Sequence, residues 1–249
     1  RGLSFASYEE LWRWSVDDLE GFWTSIWTYF KILAHSPYTS VLEPSLSGNR
    51  VEGARGFTGA TLNYAQHCLR RDDDSPAVIA AHESGTLMTT TFAELRSQVA
   101  AFAAGLRALG VGPGDAVVAY LPNVTEALVA SLASASIGAA WSSCSPDFGV
   151  ESVIDRFGQI EPSVLMCADG YRFKGKKVDS LDRVARFLGR LPTIRHVVVA
   201  GYLSEPPELA DFRKRLALLP NRPEPERATP SGTAPSGAAP QVHALDDLY

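Results

Sequence analysis

The residues with the plainest capacity for chemistry form one short run. Gly170-Tyr171-Arg172-Phe173-Lys174-Gly175-Lys176-Lys177 satisfies the G-x4-G-K spacing of a phosphate loop. Such a loop holds anions because a glycine-rich turn leads straight into a helix whose free N–H groups converge on the phosphate, while a following Ser or Thr holds magnesium. Here Lys177 stands where that hydroxyl belongs, the loop interior is bulky, and the next helix is expected only from about Asp179 to Leu188. These departures reject a nucleotide-hydrolysing loop. What remains is a cluster of four cations, Arg172, Lys174, Lys176 and Lys177, on a loop that ends a strand. Two readings stay open: a solvated basic turn, or a seat for the phosphates of a nucleotide or coenzyme.

Other runs invite chemistry less well. Ser142-Ser143-Cys144-Ser145-Pro146-Asp147 gathers hydroxyls, a thiol and an acid. A cysteine nucleophile needs a neighbouring histidine, no spacing supplies one, and Asp147 and Gly149 suit a turn and a helix cap. Asp72-Asp73-Asp74 precede Ser75-Pro76 and suit a solvated turn better than a metal site. Gly110-Val111-Gly112-Pro113-Gly114-Asp115 looks like a dinucleotide loop, but a helix precedes it and a strand follows, so it is a turn. Ser231-Gly232-Thr233 lies in a Pro/Ala-rich stretch, 220–240, that reads as a linker. No catalytic residue and no metal ligand is assigned.

The elements that must position the basic cluster follow from periodicity. From Ala77 onward short apolar runs alternate with amphipathic stretches. Residues 77–81 and 87–90 predict a hairpin. Thr91 and Glu94 form a capping box for a helix that stops at Gly110. Strands are expected at 115–121, 139–143, 163–168 and 194–200, with helices at 125–137 and 150–160 between them. This alternation predicts an α/β fold: a mostly parallel sheet with helices on both faces. Ligands then sit at the carboxyl ends of strands, in the loops after Leu121, Ser143 and Ala168. Ahead of this lies a helical, aromatic-rich segment with four of the five tryptophans. Ser15 and Asp18 suggest its capping box, and Leu19, Phe22, Trp23, Ile26, Trp27 and Phe30 an apolar packing face. Residues 34–60 read as an extended connection.

Composition narrows the class. With 249 residues, 45% of them hydrophobic, the chain can bury a large core. A net charge of −5 leaves no broad basic footprint for nucleic acid. No apolar run reaches membrane-spanning length. Three cysteines without a close pair argue against a disulfide framework and a zinc site, and for the cytoplasm.

Taken together, the motifs resemble a known family. Tyr8-Glu9-Glu10-Leu11-Trp12-Arg13-Trp14, Asp18 to Trp23 and Leu62-Asn63-Tyr64-Ala65 are similar to the N-terminal region of acetyl- and acetoacetyl-CoA synthetases. Trp141 to Gly149, followed by Asp155-Arg156-Phe157-Gly158-Gln159-Ile160-Glu161-Pro162, resembles the acetoacetyl branch of these adenylate-forming enzymes, with Cys144 where Thr is expected. The resemblance spans roughly residues 5–220. It implies an acetyl-CoA-synthetase-type region at 1–70 and the N-terminal part of an AMP-binding domain at 71–249. It further implies a parent ligase that joins acetoacetate to CoA with ATP and Mg2+, releasing AMP and diphosphate. By the same resemblance Arg172, Lys174 and Lys176 contact the nucleotide end of CoA, although Phe173 and Lys174 replace the family's glycines. The family's phosphate loop, its Thr-Glu pair and its mobile C-terminal domain have no counterpart here. The chain is therefore expected to be inactive alone, to need the C-terminal part of the same polypeptide, and to expose an apolar sheet edge. Alternatives are a free-standing CoA- or nucleotide-binding module, or part of another short-chain acyl-CoA synthetase.

Overall fold

The computed structural model describes residues 2–43, 53–81, 83, 85–219 and 239–249. Residues 220–238, which hold most of the expected linker and Ser231-Gly232-Thr233, lie outside them. The chain divides into two compact units, 1–67 and 68–249.

The first unit opens with two helices, α1 (Tyr8–Asp17) and α2 (Leu19–Tyr29). Ser7 caps α1 by accepting from the Glu10 amide at 3.2 Å, and Asp18 caps α2 by accepting from the Gly21 amide at 2.9 Å. The expected Ser15 cap is thus corrected. Ser15 lies inside α1, where its hydroxyl donates to the Trp12 carbonyl, because the helix already starts about two turns earlier, capped by Ser7. Trp14 and Trp27 pack ring against ring: Trp14 meets Phe5 and Phe22, while Trp27 meets Tyr38 and Phe57. Trp12 and Trp23 stay about half exposed. Within 34–60 the chain pairs as β1 (Ser40–Glu43) and β2 (Arg55–Thr58), antiparallel, so this stretch is more than a connection. The short α3 (Tyr64–Cys68) follows.

The second unit begins with a hairpin, β3 (Pro76–Ala81) and β4 (Leu87–Thr91), and then α4 (Phe92–Ala108). The Thr91/Glu94 capping box is formed, and Gly110 ends this region at φ 84°. Next come β5 (Ala116–Tyr120), α5 (Thr125–Ser136), β6 (Ala140–Cys144), α6 (Val150–Gly158) and β7 (Val164–Ala168). A second hairpin, β8 (Gly170–Phe173) and β9 (Lys176–Asp179), precedes α7 (Leu181–Leu188), β10 (His196–Ala200) and α8 (Ala210–Ala217). The chain closes with β11 (Gln241–Ala244) and a 3-10 turn, Leu245–Leu248.

Five strands form one parallel sheet in the order β11-β10-β7-β5-β6. β5 and β7 are buried along their whole length and β10 along all but His196, as expected of parallel strands covered on both faces. Alternate side chains divide the core. Val118, Tyr120, Leu165, Cys167, Val197 and Val199 pack with buried residues of α6, α7 and α8. Val117, Ala119, Val164, Met166 and Val198 point the other way and are equally buried, as are Leu95, Val99, Phe102 and Leu106 of α4. The chain leaves β5 for β6 on one side and returns to β7 on the other. The strand order therefore reverses at β5, a topological switch point.

The sheet's edges are β6 and β11, whereas Ile79, Leu87 and Met88, large apolar residues left exposed, stand on the β3–β4 hairpin. Among the described residues no helix is long and apolar enough to cross a membrane.

Candidate functional site

A cavity of about 670 Å³ opens at the carboxyl end of the sheet. Ala168, Ala200 and Leu245 bring the ends of β7, β10 and β11 to it, and Val124 and Thr125 bring the loop after β5. Of the three loops expected to carry a ligand, those after Leu121 and Ala168 reach this cavity. The loop after Ser143 contributes none of its lining.

Arg172 lies on the wall. It stands on β8, which pairs antiparallel with β9, so the expected basic strand-end loop is corrected to a β-hairpin. Lys174 and Gly175 turn it with φ of 51° and 75°, the double left-handed conformation that a two-residue hairpin demands. The Gly175 amide donates to Glu83 Oε1 at 3.3 Å, tying the tip to the β3–β4 hairpin. Register then separates the cations. Arg172 faces Lys177 across the ladder on one face, and Lys176 faces Phe173 on the other. Lys174 sits at the tip, its Nζ 5.3 Å from the Phe173 ring centroid. Neither Lys174 nor Lys176 lines the cavity.

The wall also carries Glu83, Glu126, Glu205 and Asp246, four carboxylates to one guanidinium. Positive charge on this wall therefore stands at the hairpin side, where Arg172 has Lys177 beside it on the ladder. Tyr249 lines the opposite part, its hydroxyl pushed up to about 12 by burial and by Glu126 and Asp246. Among the described residues no group of three or more His, Cys, Asp or Glu side chains could hold a metal ion.

Two hydrogen-bond networks hold the irregular loops at this end of the sheet. In the first, the buried Tyr120 hydroxyl lies 2.6 Å from the Pro146 carbonyl and 2.9 Å from that of Phe148. Arg183 of α7 donates to the same hydroxyl at 3.0 Å and to Pro146 O at 2.5 Å. The Ser145–Gly149 loop is thereby clamped. Cys144 beside it is buried, and burial raises its thiol pKa, which suits the structural reading over a nucleophile. In the second network, Asp169 accepts from the turn after β10.

Sequence reasoning missed the 201–207 and 245–249 segments of the wall. The rule that ligands meet the carboxyl ends of strands applied equally to β10, whose Val197-Val198-Val199 run ends at Gly201. β11 has four residues and carries no periodic signal of its own.

Comparison with known proteins places these features in context. A model described as AMP-binding enzyme matches residues 65–234, and one described as acetyl-coenzyme A synthetase N-terminus matches residues 8–68. The chain is 42% identical over 205 residues to the acetoacetyl-CoA synthetase of Gallus gallus, an alignment covering 82% of this chain and 30% of that relative. It is 42% identical over 196 residues to the acetoacetyl-coenzyme A synthetase of Rhizobium meliloti (strain 1021), covering 78% and 29%. A solved structure, acetoacetyl-CoA synthetase from Streptomyces lividans, superposes with a TM-score of 0.79 at 40% identity, covering 99% of this chain and 33% of that one. The chain thus spans about 30% of the length of the curated relatives it matches.

Proposed function

This chain belongs to the family of AMP-binding enzymes, and from that premise we propose that it forms the N-terminal part of an acid–thiol ligase. The parent reaction converts acetoacetate, ATP and CoA to acetoacetyl-CoA, AMP and diphosphate, in the cytoplasm. Identity near 40% to acetoacetyl-CoA synthetases supports the substrate, and three unpaired cysteines support the reducing compartment. Residues 1–70 serve as the acetyl-CoA-synthetase-type region and 71–249 as the first part of the AMP-binding domain.

Within this share of the parent, the function is to frame the binding site. Arg172 binds the phosphates at the nucleotide end of CoA, with Lys174 and Lys176 adding attraction from the hairpin tip and its far face. The observation that carries this role is the position of Arg172, on the hairpin leaving β7 at the switch-point end of the sheet and on the wall of the cavity. A guanidinium offers a planar fork of donors to phosphate, which a carboxylate-rich wall cannot. The described residues gather no metal-binding group, so no step through Mg2+ or the ATP phosphates is assigned to them.

Calorimetric titration of the 249-residue chain with CoA tests the role. Arg172→Ala is expected to weaken binding by about 1–3 kcal/mol, the worth of a charge-assisted hydrogen bond. Absence of binding by the wild-type chain, or equal affinity in the variant, would reject it.

A further inference from the structure

We propose that Asp169 is a positioning residue for the ligand-binding wall, a carboxylate that never touches ligand but sets where Arg172 and Tyr202 stand. The inference rests on the CoA reading above. Asp169 follows β7 directly and is 7% exposed. Its Oδ1 accepts from the amides of Tyr202 at 2.8 Å and Leu203 at 2.9 Å. Its Oδ2 accepts from the Ser204 amide at 2.9 Å and the Ser204 hydroxyl at 3.0 Å. The main chain of the same residue bonds in two further directions: its amide donates to Ala200 O, and its carbonyl accepts from Ser180 N. One residue therefore joins β7, the end of β10, the 202–204 turn and the entry to α7.

The packing around it leaves no slack. A Cβ at Gly170 would overlap Leu203 Cδ1 and the Val178 carbonyl, and a Cβ at Gly201 would overlap the Ser204 carbonyl. The turn is thus seated directly on the β8–β9 hairpin. Both halves of this junction face the cavity, the turn through Gly201, Tyr202, Glu205 and Pro207, the hairpin through Arg172. An ionised carboxylate has about four acceptor sites, and four donors occupy them. Asp169 therefore has no acceptor capacity left for a ligand, and its effect passes through the residues it holds.

The substitution that isolates this role is Asp169→Asn, which keeps the shape but replaces one acceptor oxygen with an N–H donor facing N–H groups. In the 249-residue chain, the folded variant is expected to bind CoA about tenfold more weakly, since charge-assisted bonds are lost at the wall. Hydrogen exchange should quicken at Tyr202, Leu203 and Ser204 while the amides of β5 and β7 stay protected. Ser204→Ala removes one of the four donors, leaves the carboxylate in place, and should weaken CoA binding about threefold; it serves where the Asn variant fails to fold. A purely structural role predicts lower thermal stability with unchanged CoA affinity in the folded protein. That result in either variant overturns the inference. A wild-type chain that binds no CoA instead overturns the reading of the site on which it rests.

Discussion

At the carboxyl end of the sheet two loops are held by side chains that reach in from elements far away in sequence, whereas the Gly110–Asp115 turn at the amino end is held from within itself. Asp169 gathers four donors from residues 202–204, and Tyr120 and Arg183 clamp the Pro146 carbonyl. At the opposite end, the Gly110–Asp115 turn closes on itself through the Asp115 carboxylate, which accepts from the Gly112 amide at 2.8 Å. The cavity described above lies at the first of these ends. The difference is one of reach: side chains that bridge elements far apart in sequence can hold irregular loops open around a space, while local turns simply reverse the chain.

The comparison predicts that an added Cβ will be costly at Gly170 and tolerated at Gly112. The largest expected effect is Gly170→Ala. Its Cβ meets the Val178 carbonyl, a backbone atom that cannot swing aside, together with Leu203. Overpacking of this kind costs about 3 kcal/mol, read as a shift of the urea unfolding midpoint. A variant with the wild-type midpoint would show that the turn is not seated on the hairpin as described.

How much of this was legible beforehand differs with the range of the interactions. The central strands were plain, because Ala116–Tyr120, Val164–Ala168 and Val197–Ala200 are unbroken apolar runs. The Thr91/Glu94 cap was plain as well, since its two partners lie three residues apart. Arg172 stood out as a cation in an acidic chain. The hairpin that carries it was hidden, because Lys174, Lys176 and Lys177 dilute the β-formers Tyr171, Phe173 and Val178, and only the Lys174-Gly175 turn betrays the reversal. Asp169 could not be singled out at all. Its partners lie 33 to 35 residues away, and three of the four donors are backbone amides, which every residue except proline possesses.

The amino end has one weak point, and it titrates. His196 at the start of β10 and His243 of β11 place ring nitrogens 3.4 Å apart. Burial, then His243 and Arg195, pushes His196 down to about 4 from an ordinary 6.5. Burial also lowers His243, with Arg213 adding to the effect and Asp247 opposing it. A base with a depressed folded-state pKa stabilises the fold fully above about pH 6.5, and that contribution is lost as pH falls through about 4. Discounted for partial exposure, the loss between pH 7 and pH 5 is about 1 kcal/mol. The double variant His196→Gln, His243→Gln removes this slope while leaving carboxylate titration in place. Urea melts at the two pH values, compared between wild type and variant, measure it. Identical slopes would mean that the pair does not couple β11 to the sheet.

The smallest effect completes the contrast with Gly170. Gly112 lies in the amino-end turn with nothing within 4 Å of a Cβ placed on it, and its φ is outside the left-handed range, unlike Gly110 and Gly114 beside it. Its amide bond to Asp115 survives substitution, because only the side chain changes. Alanine there restricts the unfolded chain without straining the folded one, so Gly112→Ala should be neutral to about 0.5 kcal/mol stabilising. Gly170→Ala and Gly112→Ala thus make the same chemical change with opposite expected signs. A destabilisation of Gly112→Ala approaching that of Gly170→Ala would place hidden packing at the amino end. The two ends would then differ in the cavity they leave and not in how tightly their connections are held.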